Sequence, residues 1–388
     1  MLKMPDYVGP MAFGLKMGVI LPGMDIVHEV FKPLAKCSSD GLLTDGDVIC
    51  ITESIVARAQ NNYVTIDDIA REIREKLKLT PESRLAVIFP ITSRNRFSMI
   101  LKGIARAVPR GEVVLQLSHP NDEVGNRTID IGFAAHLNKE PITYEDLGGR
   151  SFRHPVTGVD YINFYRGIIA EEGARPVVIL SNDPTHALEY HPDGVIAADI
   201  HTRFDTENLI KSWYENCITL DKICNEGVVS SEWGLLGSNM SAGEKIKLAP
   251  RQGLKVVETL QQMIKQELGH SVEVMIYGDG AYLDPSSGIY ELADPQAAFA
   301  ATAGLNRVRE GLKYKYLADQ CFHEGEKSAE AIENILKESI KREMSEDSLE
   351  KEGTTPRRME DVLASLADLV SGSADAGTPV VIIKGFIK

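Results

Sequence analysis

The feature that most constrains this chain is the stretch from Asp45 to Gln60, DGDVICITESIVARAQ. An Asp-Gly turn opens it, since both residues tolerate tight backbone. The apolar run Val48, Ile49, Cys50 and Ile51 follows, and four apolar residues in succession fit a buried strand better than one with a wet face. Thr52, Glu53 and Ser54 then form a polar corner, after which a segment rich in Ala and Ile continues as a helix. A buried strand that turns at once into a helix commits its surroundings to layered packing of helices on sheets. A helix that starts there aims its free N–H groups at whatever lies above the strand end, where anionic ligands bind. Arg58, about one turn into the helix, reaches the same place. An ordinary strand-to-helix corner has the same pattern, so a function must come from the rest of the chain.

The whole-chain totals narrow the classes. A chain of 388 residues with 43% hydrophobic and 25% charged residues reads as one large globular domain or two to three smaller ones. The net charge of −14 argues against nucleic acid as the main partner, because phosphate backbones need a basic surface. The five cysteines include no Cys-x-x-Cys pair and read as reduced thiols of a cytoplasmic protein. No signal peptide is evident, and no apolar run approaches the 18 residues of a membrane helix.

Along the chain, residues 1 to 14 read as a loose or edge segment. The run Val19 to Gly23 reads as a strand end, with Asp25 capping a helix through Cys37. Thr65 caps a second helix to Leu77. Leu85 to Phe89 and Val113 to Leu117 are apolar strands. After the first comes Thr92-Ser93-Arg94-Asn95-Arg96, whose two arginines at a helix start suit a clamp for phosphate or carboxylate. After the second comes Ser118 to Asn126, where carboxylates, amides and a His past a strand end are the ligand types of Mg²⁺ or Mn²⁺. An Asx-type turn explains the same residues.

Strand Pro176 to Leu180 leads into Ser181 to His186, with His191, Asp193, Asp199 and His201 beyond. These read as either a metal cluster or a run of caps and turns. Gly237 to Lys245 lacks the spacing of a phosphate loop. Leu254 to Leu268 is an amphipathic helix. Val272 to Ile276 is a strand ending in Gly278-Asp279-Gly280, whose glycines let backbone approach a ligand. A charged helix over 325–352, a helix over 359–370, a small-residue loop over 371–379 and a last strand over 380–383 complete the chain.

Taken together, these motifs resemble those of the coenzyme F420-0:γ-glutamyl ligase family, over roughly residues 15–125 and 250–385. Gly46, Asp47, Glu53 and Arg58 match its opening motif. Pro22, Gly23 and Asp25 match a turn that approaches the nucleotide. Asp122 and Asn126 match an Asp with a metal role and an Asn with a nucleotide role, Asn121 being a competing assignment. Asp279 matches a strand-terminal metal-binding Asp, and Ser373, with Asp375 nearby, stands in the closing loop. The arginines that follow this Asp in the family are absent.

The resemblance implies an α+β fold of two domains with mixed sheets in an intertwined homodimer. The core would comprise 15–125 and 250–388, with 127–250 an inserted or second α/β region. It implies a ligase that uses GTP (or ATP) and Mg²⁺ or Mn²⁺ to activate a small-molecule carboxylate as an acyl phosphate and join it to a glutamate-like amino acid. Asp122 and Asp279 would hold metal, Arg58 would contact phosphate, and Pro22, Gly23, Glu53, Asn126 and Ser373 would line the nucleotide site, with Arg58 and Asp279 serving catalysis. The alternatives are a non-catalytic nucleotide- or metal-binding module and a metal-dependent phosphate hydrolase.

Overall fold

The computed structural model describes residues 7–284, 286–290, 292–306, 308–309, 313–326, 328–339, 357–371 and 377–387. In it the two apolar runs at 48–51 and 272–276 lie side by side. Val48–Thr52 pairs in parallel with Glu273–Tyr277, Val48 facing Glu273 and Thr52 facing Tyr277. Val380–Lys384 runs antiparallel on the other side of Val48–Thr52, and Met11–Leu15 edges it. Ala298–Ala301 closes the far edge, giving a mixed sheet of five strands.

The unbroken apolar run of Val48–Thr52 is explained by cover on both faces. Ile49 and Ile51 pack under the helices Ile26–Ser39 and Gly253–Leu268. Val48 and Cys50 pack under the helix Met359–Ser371. Strand pleating sends alternate residues to opposite faces, so both sets must be apolar, each side chain contributing roughly 1.5–3 kcal/mol when fully buried. Where Val48–Thr52 begins and Val380–Lys384 ends, the Lys384 ammonium donates to the Asp47 carboxylate, to Leu42 O at 2.9 Å and to Thr44 Oγ1 at 2.8 Å. That buried knot ties the last strand to the Asp-Gly turn.

A second sheet has six strands in the spatial order 142–143, 175–180, 112–117, 84–88, 194–197, 217–219. The last five run parallel, and 142–143 is antiparallel. From 84–88 the chain builds outward through 112–117 and 175–180, then returns to lay 194–197 and 217–219 on the opposite side. Residues 127–250 thus supply four strands of a sheet whose centre is 84–88 and 112–117. The helices Ile66–Leu77, Phe97–Ala107 and Tyr161–Glu171 cover one face. The helix Arg203–Lys211 covers the other. The molecule is α+β with mixed sheets.

Several expectations change. Residues 19–23 form no strand; Met11–Leu15 does. Val19 and Leu21 are exposed, Gly18, Pro22 and Gly23 interrupt the run, and Gly23 has a φ of +87°. The charged segment from 325 is not one helix. Helices Tyr314–His323 and Ala329–Ser339 flank Gly325, which has a φ of +112°, and 340–352 lie outside the described residues. Thr65 forms a reciprocal capping box with Asp68, as its position suggests. Among the described residues no helix is long and apolar enough to cross a membrane.

Candidate active site

The parallel strands 48–52 and 273–277 end at the same edge, and beyond them lies a cavity of about 570 Å³. The polar corner Thr52, Glu53 and Ser54 forms one wall, with Arg58 on the helix that follows. Tyr277, Gly278 and Asp279 form the next wall. Arg96, Asp294 and Asp368 come from three other segments, and Met17 to Ile20 with Gly377 to Pro379 also line the cavity.

Arg96 is the hub. Ser93 Oγ accepts from Arg96 N at 3.2 Å, fixing the turn before the helix Phe97–Ala107. From there the guanidinium donates to Asp279 Oδ2 at 2.7 Å and to Asp294 Oδ1 at 2.6 Å. The sequence marked this arginine as a clamp for an acid; the acids it holds are the protein's own. Asp294 Oδ2 also accepts from Asp279 N at 2.9 Å, and a Cβ on Gly278 would stand 2.3 Å from that oxygen. Only glycine lets the two acids come so close.

One guanidinium thus serves two carboxylates. Burial, then the charge of Asp294, pushes the Asp279 carboxyl up to about 8 against the pull of Arg96. Burial also raises Asp368, which accepts from Gly280 N at 3.0 Å. Glu53 is 6% exposed and accepts from Lys247 Nζ at 2.7 and 2.5 Å. Burial raises its carboxyl while Lys247 opposes that shift. Arg58 is exposed on the cavity wall and, among the described residues, has no ion-pair partner.

The structure gathers Glu53, Arg58 and Asp279 of the sequence-derived set. Pro22 and Gly23 stand just outside the wall, where Gly23 N donates to Ala59 O at 2.8 Å and anchors the turn to the end of the Arg58 helix. Asp122 and Asn126 do not line the cavity. Asp122 accepts from Thr92 N at 2.7 Å, Thr92 Oγ1 at 2.9 Å, Val124 N at 3.1 Å, Asn126 N at 2.7 Å and Asn126 Nδ2 at 3.0 Å. Its oxygens are committed to shaping their own loop. Ser373 and Asp375 lie outside the described residues.

The His and Asp residues of 181–201 serve turns and caps. Asp193 accepts from Arg84 N, Asp199 from Thr202 and Thr206, and His186 pairs with Ser181. Residues 239–247 form a hairpin paired to Tyr63–Thr65, and this hairpin delivers Lys247. Lys247, Asp294 and Asp368 escaped the sequence reading. Only Asp294 has a local signal in the sequence, the Asp294-Pro295 pair.

The geometry is therefore a basic and acidic cavity over two parallel strand ends, built from both halves of the chain. A family model described as F420-0:Gamma-glutamyl ligase matches residues 14–385, nearly the whole chain. The chain belongs to the F420-0:Gamma-glutamyl ligase family. A comparison with curated proteins found no match.

The carboxylates also bear on a divalent cation. Asp279, Asp294 and Asp368 offer hard oxygen donors, and burial with the neighbouring charge of Asp294 raises the Asp279 carboxyl, a shift that an incoming cation would oppose. Among the described residues, no group of three or more His, Cys, Asp or Glu is arranged to hold a metal alone. The set fits Mg²⁺ or Mn²⁺ shared with phosphate oxygens, the usual manner for Mg²⁺, better than an all-protein cage.

Proposed function

We propose that this chain is a nucleotide- and divalent-metal-dependent amide ligase, acting through an acyl phosphate on a small-molecule carboxylate and a glutamate-like amine. The observation that carries the reading is the Asp279–Arg96–Asp294 bridge, on the wall of a cavity that also presents Arg58, in a member of a ligase family. GTP or ATP is the phosphate donor, and a homodimer is the expected assembly.

In the first step a carboxylate oxygen of the substrate bonds to the γ-phosphorus while the bond to the β–γ bridging oxygen breaks, releasing the nucleoside diphosphate. The amine nitrogen then bonds to the acyl carbon, the carbon–oxygen bond to phosphate breaks, and the departing phosphate takes the amine's proton. Arg58, free on the wall, holds a phosphate oxygen. Arg96 keeps Asp279 and Asp294 in place. Glu53, fixed by Lys247, shapes the nucleoside side of the cavity. Asp279 and Asp294 would hold a divalent cation, which when bound would supply neutralisation of the charge on the transferring phosphoryl group.

The test is product analysis by mass spectrometry with GTP or ATP, Mg²⁺ or Mn²⁺, glutamate and a panel of carboxylic acids. The reading expects an amide together with nucleoside diphosphate and phosphate. Phosphate without amide would make the chain a hydrolase, and nucleotide binding without turnover would make it a binding module.

A further inference from the structure

The bridge from Arg96 to Asp279 and Asp294 depends on where the Arg96 backbone stands, and that backbone leaves its sheet through an irregular stretch. Past Arg84–Ile88, Phe89 has a φ of +55°, and Pro90 has no N–H with which to continue a ladder. Ile91 and Thr92 are then buried outside any strand or helix. Buried irregular backbone has neither a ladder nor water for its polar groups, so side chains must supply the partners.

The Asp122 carboxylate takes the middle of this stretch, accepting from Thr92 N at 2.7 Å. One other side chain takes both flanks. The hydroxyl of Tyr165, on the helix Tyr161–Glu171, accepts from Ser93 N at 2.7 Å and donates to Ile91 O at 2.9 Å. Its ring is fully buried, edge to face against Phe97 with 5.6 Å between centroids. Packing alone would accept phenylalanine here; the hydroxyl is what the 91–93 backbone needs. From Ser93 the path to the site is short. Ser93 Oγ accepts from Arg96 N, and the guanidinium reaches Asp279 and Asp294. Those acids in turn hold nearby amides: Asp294 Oδ2 accepts from Asp279 N at 2.9 Å, and Asp279 Oδ2 from Ala293 N at 3.2 Å.

We propose that Tyr165 is a positioning residue for the Arg96–Asp279–Asp294 bridge. It is not part of the cavity wall. It fixes Ser93, and through Ser93 the point from which the Arg96 side chain sets out. A long side chain gives up rotamer freedom to hold two carboxylates, and a fixed origin leaves less of it to lose. The inference deepens the ligase reading and rests on it for what the bridge binds.

Two readouts on the full-length protein test it: hydrogen exchange by mass spectrometry without ligand, and a thermal-shift titration of Mn²⁺ with GTP or ATP. Tyr165→Phe removes the hydroxyl and keeps the ring. Exchange should rise about tenfold in the peptide carrying Ser93 and also in those carrying Asp279 and Ala293. The affinity for Mn²⁺ with nucleotide should fall about tenfold, since a displacement of about 1 Å at a reacting site costs on the order of a hundredfold. Ser93→Ala breaks the link to Arg96 N and should act alike at Asp279 and Ala293, which keeps the test open if Tyr165→Phe folds poorly. Phe164→Leu loosens the same aromatic cluster, its ring 5.8 Å from that of Tyr165, and touches none of these bonds. It should leave exchange at Asp279 and Ala293 as in the native protein. Unchanged exchange there in both Tyr165→Phe and Ser93→Ala overturns the proposal. So does an equal rise in Phe164→Leu, which is what general loosening gives. Native protein without a shift from Mn²⁺ and nucleotide would remove the ligase reading, and exchange alone then decides the positioning role.

Discussion

Two strand-end loops of this molecule carry an aspartate that the sequence marks in the same way. The loop after Glu112–Leu117 surrounds Asp122 with five hydrogen bonds from Thr92, Val124 and Asn126. The loop after Glu273–Tyr277 leaves Asp279 to share one arginine with Asp294 at the edge of a large cavity. The first carboxylate is fully supplied with donors and builds structure. The second lies in an acidic site short of positive charge, which favours a proton or an incoming cation. An Asp past an apolar strand is thus compatible with either role: Asp122 is claimed by its own loop together with Thr92, while Asp279 meets partners brought from elsewhere in the chain.

This contrast can be broken by substitution. The largest expected effect is on turnover: Asp279→Ala should lower metal-dependent nucleotide turnover by about a thousandfold, roughly 4 kcal/mol of transition-state stabilisation, with the circular dichroism spectrum unchanged. Retained turnover would remove Asp279 from the site. Asp122→Ala should act on stability instead, lowering the urea-unfolding free energy by about 3 kcal/mol because buried donors lose their acceptor. A loss below about 0.5 kcal/mol would mean that the loop is not built on that carboxylate.

The third effect is on pH dependence. Asp279 keeps its proton in the folded chain up to about pH 8 but loses it near pH 4 when unfolded. Between these limits the native state binds more protons, so this group makes the metal-free protein less stable as pH rises, by up to about 1.4 kcal/mol per pH unit. Asp279→Asn should flatten that slope in urea titrations across pH 4–8. An unchanged slope would mean that Asp279 is already ionised there. Smallest is Arg58→Ala, expected to weaken nucleotide binding about tenfold, near 1.4 kcal/mol, with stability altered by less than about 0.5 kcal/mol since Arg58 is exposed.

Much of the fold was legible because burial on both faces writes itself as an apolar run. Val48 to Ile51, Val113 to Leu117, Val272 to Ile276 and Val380 to Ile383 all became central strands. The edge strand Met11–Leu15 did not stand out, since every residue in it is only half-buried. The polar corner at Glu53 and Arg58 was legible for a local reason: strand, corner and helix are contiguous. Lys247 was not, because it reaches Glu53 across 194 residues by way of a hairpin laid on Tyr63–Thr65. Asp368 likewise arrives from a helix on the far face of the sheet, at the backbone of Gly280.

The central claim, that the cavity at Asp279 and Arg58 binds nucleotide together with a divalent cation, is tested most directly by a thermal shift. The protein is melted with GTP, with ATP and without nucleotide, each with and without Mn²⁺ or Mg²⁺. Ligand at a hundredfold excess over Kd stabilises the native state by about 2.7 kcal/mol. The account predicts a rise that needs both one nucleotide and the metal and that disappears in Asp279→Ala. A melting temperature indifferent to every combination, or a rise that Asp279→Ala keeps in full, would contradict it.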